Sequence, residues 1–154
     1  MKISFVQAGG TMDKIYPRGA MHHGYNFEIG DPAFARILQK VNPRFTWESF
    51  SMIKKDSLDI TEEDRKQLVQ EIEAMKDDKI VVTHGTDTIH LTARKLSLSS
   101  KTIVLTGSML PEKFYESDAM FNLGMAVAAV QTLGAGVYIA LHGEVVPWRE
   151  FRHE

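Results

Sequence analysis

The sequence has no cysteine among its 154 residues. Disulfide bonds, thiolate nucleophiles and cysteine-bound metal sites are therefore excluded. It also has no apolar run of about 18 residues, so we expect no membrane-spanning helix. Residues 1–8 have a strand-like pattern that leads directly into a glycine motif, so we expect no cleavable secretory signal. We therefore expect the protein in the cytoplasm, without a membrane partner.

Positive charge is also scarce, since the formal net charge is −2 at pH 7. We expect no nucleic-acid partner, because such proteins carry a basic surface. Gly9-Gly10-Thr11 lacks the third glycine of the dinucleotide fingerprint, and no Gly-Lys-Thr P-loop occurs. The six histidines show no His-x-x-x-His spacing, and the adjacent His22 and His23 would point to opposite sides of an extended chain. We therefore expect neither a cofactor nor a metal ion.

The sequence does contain a regular alternation of strand-like and helix-like segments, without internal repeats. Its apolar and β-branched runs predict five strands, the first of them central: Lys2 to Gln7, Phe45 to Ile53, Lys79 to Thr83, Thr102 to Thr106 and Val137 to Leu141. This alternation predicts a single α/β domain over residues 1–154. We expect a three-layer αβα arrangement with a mostly parallel sheet and right-handed crossovers.

Start and stop signals predict four helices between these strands. Asp31-Pro32 supplies an N-cap and a first-turn proline, and Pro43 ends that helix. Thr61 opens the Thr-x-x-Asp pattern of a capping box, which predicts the start of a second helix. A third is expected from Asp87 to about Leu96, and a fourth is expected to start at Ser117.

Apolar residues at helical spacing predict which helix faces are buried. These residues are Phe34, Ile37, Leu38 and Val41 in the first helix, Leu68, Ile72 and Met75 in the second, and Phe121, Met125, Ala128 and Ala129 in the fourth. Residues Asp13 to Gly30 show no sustained period. They predict a long loop of the kind that often covers a site.

The ends of the predicted strands place small polar residues at one rim of the sheet. These residues are Thr11, Ser57, Thr86-Asp87, Gly107-Ser108 and His142-Gly143. Ligands bind at the carboxyl ends of parallel strands, because helix N-termini and their amide groups converge there. Thr86, Asp87 and Thr88 would equally suit an ordinary helix N-cap and first turn, so spacing alone leaves both roles open.

Three motifs carry a resemblance to a known family. Thr83-His84-Gly85-Thr86-Asp87-Thr88 resembles the second signature of the bacterial-type L-asparaginases, and Ala8-Gly9-Gly10-Thr11-Met12 resembles their first. Thr106 to Pro111, followed by Asp118 to Asn122, is a third match. The resemblance covers nearly the whole chain and implies the flavodoxin-like or Rossmann-like fold of the family's N-terminal domain. The family's C-terminal domain has no counterpart in this sequence.

The resemblance also implies roles for individual residues. In that family the threonine of the first signature attacks a side-chain amide, with a loop tyrosine close by. Thr11 is accordingly the implied nucleophile and Tyr25 its implied partner, with Tyr16 as the alternative tyrosine. Thr86 and Asp87 form the implied proton-handling group. The implied substrate-binding residues are Gly10, Ser57, Gly85, Thr86, Asp87 and Ser108.

Within that set, Ser57 would hold the α-carboxylate of the substrate and Asp87 its α-ammonium group. Ser57 would otherwise be an ordinary turn serine. The proton-handling group of the family includes a lysine, and the position that matches it is His153, four residues after an arginine match at Arg149. A histidine can act as a base near neutral pH, so His153 is the predicted catalytic replacement. A solvated tail residue is the alternative, with Lys14 or Lys113 reaching the site instead.

The predicted function is a cofactor-free, threonine-dependent amidohydrolase acting on a small amide such as L-asparagine or glutamine. The sequence does not distinguish between these substrates. One alternative is a non-catalytic domain that binds a small amino acid in the same crevice, and another is one subunit of a split amidohydrolase or amidotransferase. We expect a homo-oligomer, because a crevice without its second domain leaves apolar surface that association would cover.

Overall fold

The computed structural model describes residues 1–17 and 26–153. Its strands are β1 Lys2–Gln7, β2 Lys14–Ile15, β3 Glu28–Ile29, β4 Thr46–Ser51, β5 Lys79–Thr83, β6 Thr102–Thr106, β7 Gly136–Leu141 and β8 Glu144–Pro147. Its α-helices are α1 Ala33–Val41, α2 Glu62–Ala74, α3 Ile89–Leu96 and α4 Ala119–Thr132. Three short 3₁₀ turns lie at Thr11–Asp13, Ser57–Asp59 and Thr86–Thr88.

Six of the strands form one sheet in the order β4-β1-β5-β6-β7-β8. Neighbouring strands are parallel except for β7 and β8. The predicted α/β fold with a mostly parallel sheet is therefore confirmed. β1 lies one strand in from the edge rather than at the centre. The sequence pattern does not predict β8, which follows β7 through a two-residue turn at His142 and Gly143, where φ is 54° and 84°.

Two apolar cores lie on opposite faces of this sheet. α1 and α4 cover one face, where Phe34 and Leu123 pack with Phe5 of β1. α2 and α3 cover the other face, where Leu68 packs with Val82 of β5. Successive strand residues point to opposite faces, so strands buried on both sides need nearly continuous apolar runs. This arrangement is the predicted three-layer architecture.

The start of α2 agrees with its predicted capping box. Thr61 Oγ1 accepts a hydrogen bond from the Asp64 amide at 3.1 Å, and Asp64 Oδ2 accepts one from the Thr61 amide at 2.9 Å. Leu68 and Ile72 are buried as expected. Met75 follows the last helical residue and is partly buried against the same core.

The start of α1 differs from the prediction. The residue before the helix is Pro32, which has no side-chain hydrogen bond to offer, and Asp31 is not the cap. The Asp13 carboxylate instead accepts a hydrogen bond from the Ala33 amide at 2.7 Å, although it lies 20 residues earlier. A distant carboxylate therefore takes the role that sequence rules assign to the preceding residue. At the other end of the helix, Val41 is 53% exposed and does not belong to the buried face.

The predicted inward face of α4 is only half correct. Ala129 is buried and Met125 packs against the core, but the other two predicted residues lie outside. Phe121 is 65% exposed and Ala128 is also exposed, whereas Asn122, Leu123 and Ala126 are buried. The helix contains no charged residue, so its sequence carries no polar stripe to mark the outer face. The helix itself starts at Ala119, whose amide donates to Ser117 Oγ at 3.1 Å, close to the predicted position.

The predicted loop from Asp13 to Gly30 is not uniformly irregular. β2 and β3 pair at its base, with Lys14 opposite Ile29. Tyr25, His22 and His23 lie outside the described residues. Across the part of the chain that the structure describes, no helix has the length and apolarity needed to cross a bilayer.

Candidate active site

Three turns meet at the carboxyl ends of the parallel strands, where two glycines allow their backbones to touch. Gly10 has a φ of +91°, and a Cβ there would stand 2.3 Å from the Gly85 nitrogen. A Cβ on Gly85 would stand 2.6 Å from Ser57 Cβ and 2.7 Å from Ser57 Oγ. No side chain fits at such distances, so both positions require glycine. The turns that carry Thr11, Ser57 and Thr86 are therefore in direct contact.

The turn after β6 adds a fourth wall to this region. A Cβ on Gly107 would stand 3.3 Å from Thr86 Cγ2, and Thr86 Oγ1 lies 4.0 Å from Met109 Sδ. Asp87, beside Thr86 in the 3₁₀ turn Thr86–Thr88, is exposed. The structure thus brings together four of the five predicted clusters, at the ends of β1, β5 and β6 and in the turn after β4. The fifth, His142-Gly143, forms the turn between β7 and β8.

Ser108 is the predicted binding residue whose hydroxyl is already engaged. Its Oγ donates to the Leu110 carbonyl at 2.6 Å, and the residue is 1% exposed. Asp118 accepts hydrogen bonds from the Met109 and Leu110 amides at 2.9 and 3.1 Å. These contacts fix the shape of the turn. Any direct contact between Ser108 Oγ and a substrate stays a prediction.

The hydroxyl of Ser57 is buried and unpaired within the described chain. The residue is 1% exposed, and its Oγ has no hydrogen-bond partner among the described residues. Burying a hydroxyl without a partner costs on the order of 1–3 kcal/mol. This oxygen packs against the Gly85 turn. Its predicted role as a substrate ligand remains a prediction.

Asp13 anchors the turn that carries Thr11. Its side chain is fully buried, and its Oδ2 accepts a hydrogen bond from Gln7 Nε2 at 2.9 Å in addition to the Ala33 amide contact. Burial raises the pKa of this carboxyl to about 6, although the two hydrogen bonds act in the opposite direction. The Thr11 turn is therefore tied to both β1 and the start of α1.

Lys14 ties the base of the loop to the Ser57 turn. Its Nζ lies 3.1 Å from Asp56 Oδ2, and Asp56 Oδ1 accepts a hydrogen bond from the Leu58 amide at 3.2 Å. Lys14, an alternative to the family's lysine, therefore pairs with a carboxylate next to Ser57. Its charge is in the neighbourhood of the site and already has a partner.

His84 is a buried, neutral part of the second motif. Its Nδ1 lies 2.8 Å from the Gly85 carbonyl oxygen and its Nε2 lies 2.7 Å from Thr92 Oγ1. Burial lowers the pKa of His84 to about 4, and the positive charge of Arg65 acts in the same direction. A carbonyl oxygen only accepts, so Nδ1 carries the proton and Nε2 accepts from the Thr92 hydroxyl.

His153 lies against α3. Its Nε2 is 3.0 Å from Nδ1 of His90, and the two rings meet edge to face with centroids 4.9 Å apart. Partial burial lowers the pKa of His90, with the charges of His153 and Arg65 adding to the effect. His153 itself is exposed. Its predicted catalytic role is neither supported nor contradicted by this contact.

Two residues near the site escape sequence reasoning. Asp13 follows the first motif by one residue and looks like an ordinary loop acid. Arg65 shares a helical face with Leu68 and Ile72. An arginine on an otherwise apolar helix face is the sequence feature that could have identified it. Within residues 1–17 and 26–153, no group of three or more histidine, aspartate or glutamate side chains is arranged to hold a metal ion.

The sequence matches the family model described as Asparaginase, N-terminal, over residues 2–153. A glutamyl-tRNA(Gln) amidotransferase subunit of Methanococcus vannielii is 35% identical over 156 residues, which cover 93% of this chain and 34% of that protein. Glutaminase-asparaginase of Pseudomonas fluorescens biotype A is 40% identical over 89 residues, which cover 53% of this chain and 25% of that protein.

A solved structure with the same fold is the thermostable L-asparaginase from Thermococcus kodakarensis. The match has a TM-score of 0.80 and 30% sequence identity, and it covers 96% of this chain and 46% of that one. The chain thus spans about a third of the amidotransferase subunit and less than half of the asparaginase.

Proposed function

The chain belongs to the asparaginase family through that family's N-terminal domain, and from this premise we propose that it is a threonine-dependent amidohydrolase. It would hydrolyse a small linear amide, such as L-asparagine or L-glutamine, to the acid and ammonia. The observation that carries this proposal is the contact of the Gly10, Ser57 and Gly85 turns around a buried serine hydroxyl that has no partner among the described residues. Through that contact, the proposed nucleophile would lie beside the proposed substrate ligands.

The chemistry requires a nucleophile, a proton acceptor and a binding site for the amino-acid end of the substrate. Thr11 Oγ1 would attack the amide carbon, and Thr86 with Asp87 would carry the hydroxyl proton to the departing ammonia. Water would then hydrolyse the resulting Thr11 ester, which releases the acid and restores the hydroxyl. Ser57 Oγ would bind the α-carboxylate, and the Asp87 carboxylate would bind the α-ammonium group.

His153 is the proposed proton carrier at the position of the family's lysine. In the structure its Nε2 faces His90 Nδ1, so it would have to leave that contact to reach Thr86. Tyr25, which lies outside the described residues, is the proposed loop partner of Thr11. Ser108 would support the site through the turn that its hydroxyl holds.

The test is ammonia release from L-asparagine and L-glutamine by the purified chain, together with its Thr11→Ala and Thr86→Ala variants. Thr132→Ala, which removes an exposed threonine hydroxyl at the end of α4, is the matched control. We expect both site variants to lose about a hundredfold or more in rate, because each removes a nucleophilic or proton-handling group. Full activity in Thr11→Ala would disprove the assigned nucleophile.

An inactive wild type would leave two outcomes to separate. If L-aspartate still raises the melting temperature, the domain binds a small amino acid without catalysis. If it does not, the isolated chain neither hydrolyses the amide nor binds the amino acid.

A second candidate function is one subunit of a larger amidotransferase. It is favoured by the match to an amidotransferase subunit over 93% of this chain. In that case the isolated chain would be inactive, and activity would appear only in a complex purified under mild conditions. Stripping the complex with salt and then adding the partner back would remove and restore ammonia release.

The remaining expectations concern partners and compartment. We propose that the chain forms a homo-oligomer and that it binds no nucleic acid, membrane or cofactor. The cytoplasm is its proposed location. Cell fractionation with an antibody against the chain would test the compartment.

A further inference from the structure

Arg65 of α2 is a buried charge that the proposed chemistry does not use. It is 4% exposed and lies on the same face of the helix as Leu68 and Ile72. A buried guanidinium is costly unless its N–H groups find acceptors. An aliphatic residue would fill this place on the stripe without that cost. The groups that accept hydrogen bonds from Arg65 should therefore explain why an arginine occupies this position.

The guanidinium donates to both sides of the candidate site. Nη1 donates to the Ile60 carbonyl at 3.1 Å, next to the Ser57–Asp59 turn, and it also meets the exposed Glu62 carboxylate at 3.1 Å. Nη2 donates to Thr88 Oγ1 at 3.0 Å, and that hydroxyl donates onward to the Ser57 carbonyl at 2.8 Å. One planar group thus joins the Ser57 turn to the Thr86–Thr88 turn.

A second chain of hydrogen bonds leads from the same guanidinium to the motif glycine. Arg65 Nε donates to Thr92 Oγ1 at 3.1 Å, and the Thr92 hydroxyl then donates to His84 Nε2 at 2.7 Å. His84 Nδ1 donates to the Gly85 carbonyl at 2.8 Å. The Thr88 and Thr92 hydroxyls each accept one hydrogen bond and donate one. The direction of both chains is fixed because the Arg65 guanidinium can only donate.

We propose that Arg65 is a positioning residue that sets the spacing between Ser57 and the Thr86–Asp87 turn. This inference rests on the proposed function, in which Ser57 and Asp87 bind the two charged groups of one amino-acid substrate. Thr11 lies on the turn after β1, which Arg65 does not contact through any described hydrogen bond. Arg65 therefore acts on substrate binding more than on the attack itself.

The experiment measures kcat and KM for L-asparagine in Arg65→Met and Thr88→Val variants and in the double variant. Methionine keeps much of the arginine's length without its charge, and valine keeps the shape of threonine without its hydroxyl. Arg94→Met, at an exposed arginine of α3, is the matched control. We expect KM to rise about tenfold in each single variant, with kcat within about threefold of wild type.

The double variant should resemble Arg65→Met, because that variant already breaks the link between Arg65 and Ser57 that Thr88→Val removes. A merely structural role would lower the fraction of active enzyme, and thus the apparent kcat, with KM unchanged. That outcome, or additive effects in the double variant, would overturn the proposal.

A second readout separates this inference from the proposed function. Hydrogen–deuterium exchange is compared between wild type and Arg65→Met, without substrate, in segments 56–62, 84–92 and 102–106. We expect exchange to accelerate about tenfold or more in the first two segments and to stay unchanged in the third. Uniform acceleration, or no change, would overturn the positioning role even in a protein that releases no ammonia. Local acceleration in an inactive wild type would retain the positioning role and reject only the hydrolase.

Discussion

Asp13 places an acid with a pKa of about 6 inside the fold, one residue after Met12 in the Thr11 turn. Burial disfavours its charged form, so its folded-state pKa lies above the ordinary value of 3.8. A group whose pKa is raised in this way stabilises the fold fully below about pH 3.8. That stabilisation is lost as the pH rises through about 6.

We predict that Asp13→Asn removes this pH dependence. The amide oxygen still accepts from Ala33, while the amide hydrogens oppose the Gln7 donor, so some stability is lost at every pH. The free energy of unfolding of the wild type relative to the variant should fall by on the order of 3 kcal/mol between pH 4 and pH 7. Urea denaturation at each pH measures it. A difference that does not vary with pH would contradict the prediction.

At this scale the sequence predicts motif residues better than the residues that support them. Motifs and strand ends mark Gly10, Ser57 and Gly85, whose turns the structure brings into contact. Asp13 and Arg65 act on residues 20 and 23 or more positions away, on Ala33, Thr88 and Thr92. Such contacts depend on which elements become neighbours, and no local pattern encodes that.

Among the elements, α2 has the strongest local signal. Its capping box satisfies two amides at its start, and three acidic residues occupy its first turn, where the helix dipole favours them. The start of this helix is therefore encoded within a few adjacent residues, and it was predictable for that reason.

We predict that Thr61→Ala lowers the free energy of unfolding by about 1 kcal/mol, because the Asp64 amide loses its acceptor. Thr61→Ser keeps the hydroxyl and should stay within about 0.5 kcal/mol of wild type. Thermal and urea denaturation would measure both. Equal losses in the two variants would show that the methyl group, and not the cap, matters at this position.

By contrast, α4 shows where pattern recognition fails. Periodicity locates a helix face only through contrast between apolar and polar residues. From Ala119 to Thr132 the helix has no charged residue. Several different faces of this helix therefore fit the apolar pattern equally well. Packing against the sheet determines which face is buried: Leu123 and Ala126 are covered, and Phe121 stays exposed.

At the scale of the whole molecule, α4 leaves an apolar surface on one helical layer. Phe121 is 65% exposed and Met120 is 52% exposed, and Val41 of α1 is also more than half exposed. Exposed apolar patches favour association. The expected homo-oligomer stays a prediction, and this surface is where we expect a second copy to bind.

We predict that Phe121→Glu shifts the chain toward a monomer, because a carboxylate in a buried interface lacks a partner. Sedimentation velocity at several concentrations would measure the change. Gln70→Glu introduces the same charge on α2, in the other helical layer, and should leave association unchanged. Identical behaviour of wild type and Phe121→Glu would exclude this surface as the interface.

The overall architecture was largely predictable, because alternating strands and helices allow few arrangements. The five predicted strands are all present, and the four strand ends around Gly10, Ser57, Gly85 and Gly107 meet as expected. β8 was missed because it is short and follows a tight turn. The position of β1 was missed because strand order depends on contacts between distant segments.

That strand order has a consequence for how the chain folds during synthesis. β1 leaves the ribosome before both of its neighbouring strands, since Lys2 pairs with Thr46 of β4 and Ser4 pairs with Ile80 of β5. Its five buried residues have no neighbouring strand until β4 has been made, and their second neighbour, β5, comes later still. Pairing between segments so far apart is slow. The nascent chain must therefore keep this apolar segment out of unwanted contacts until β5 has been translated.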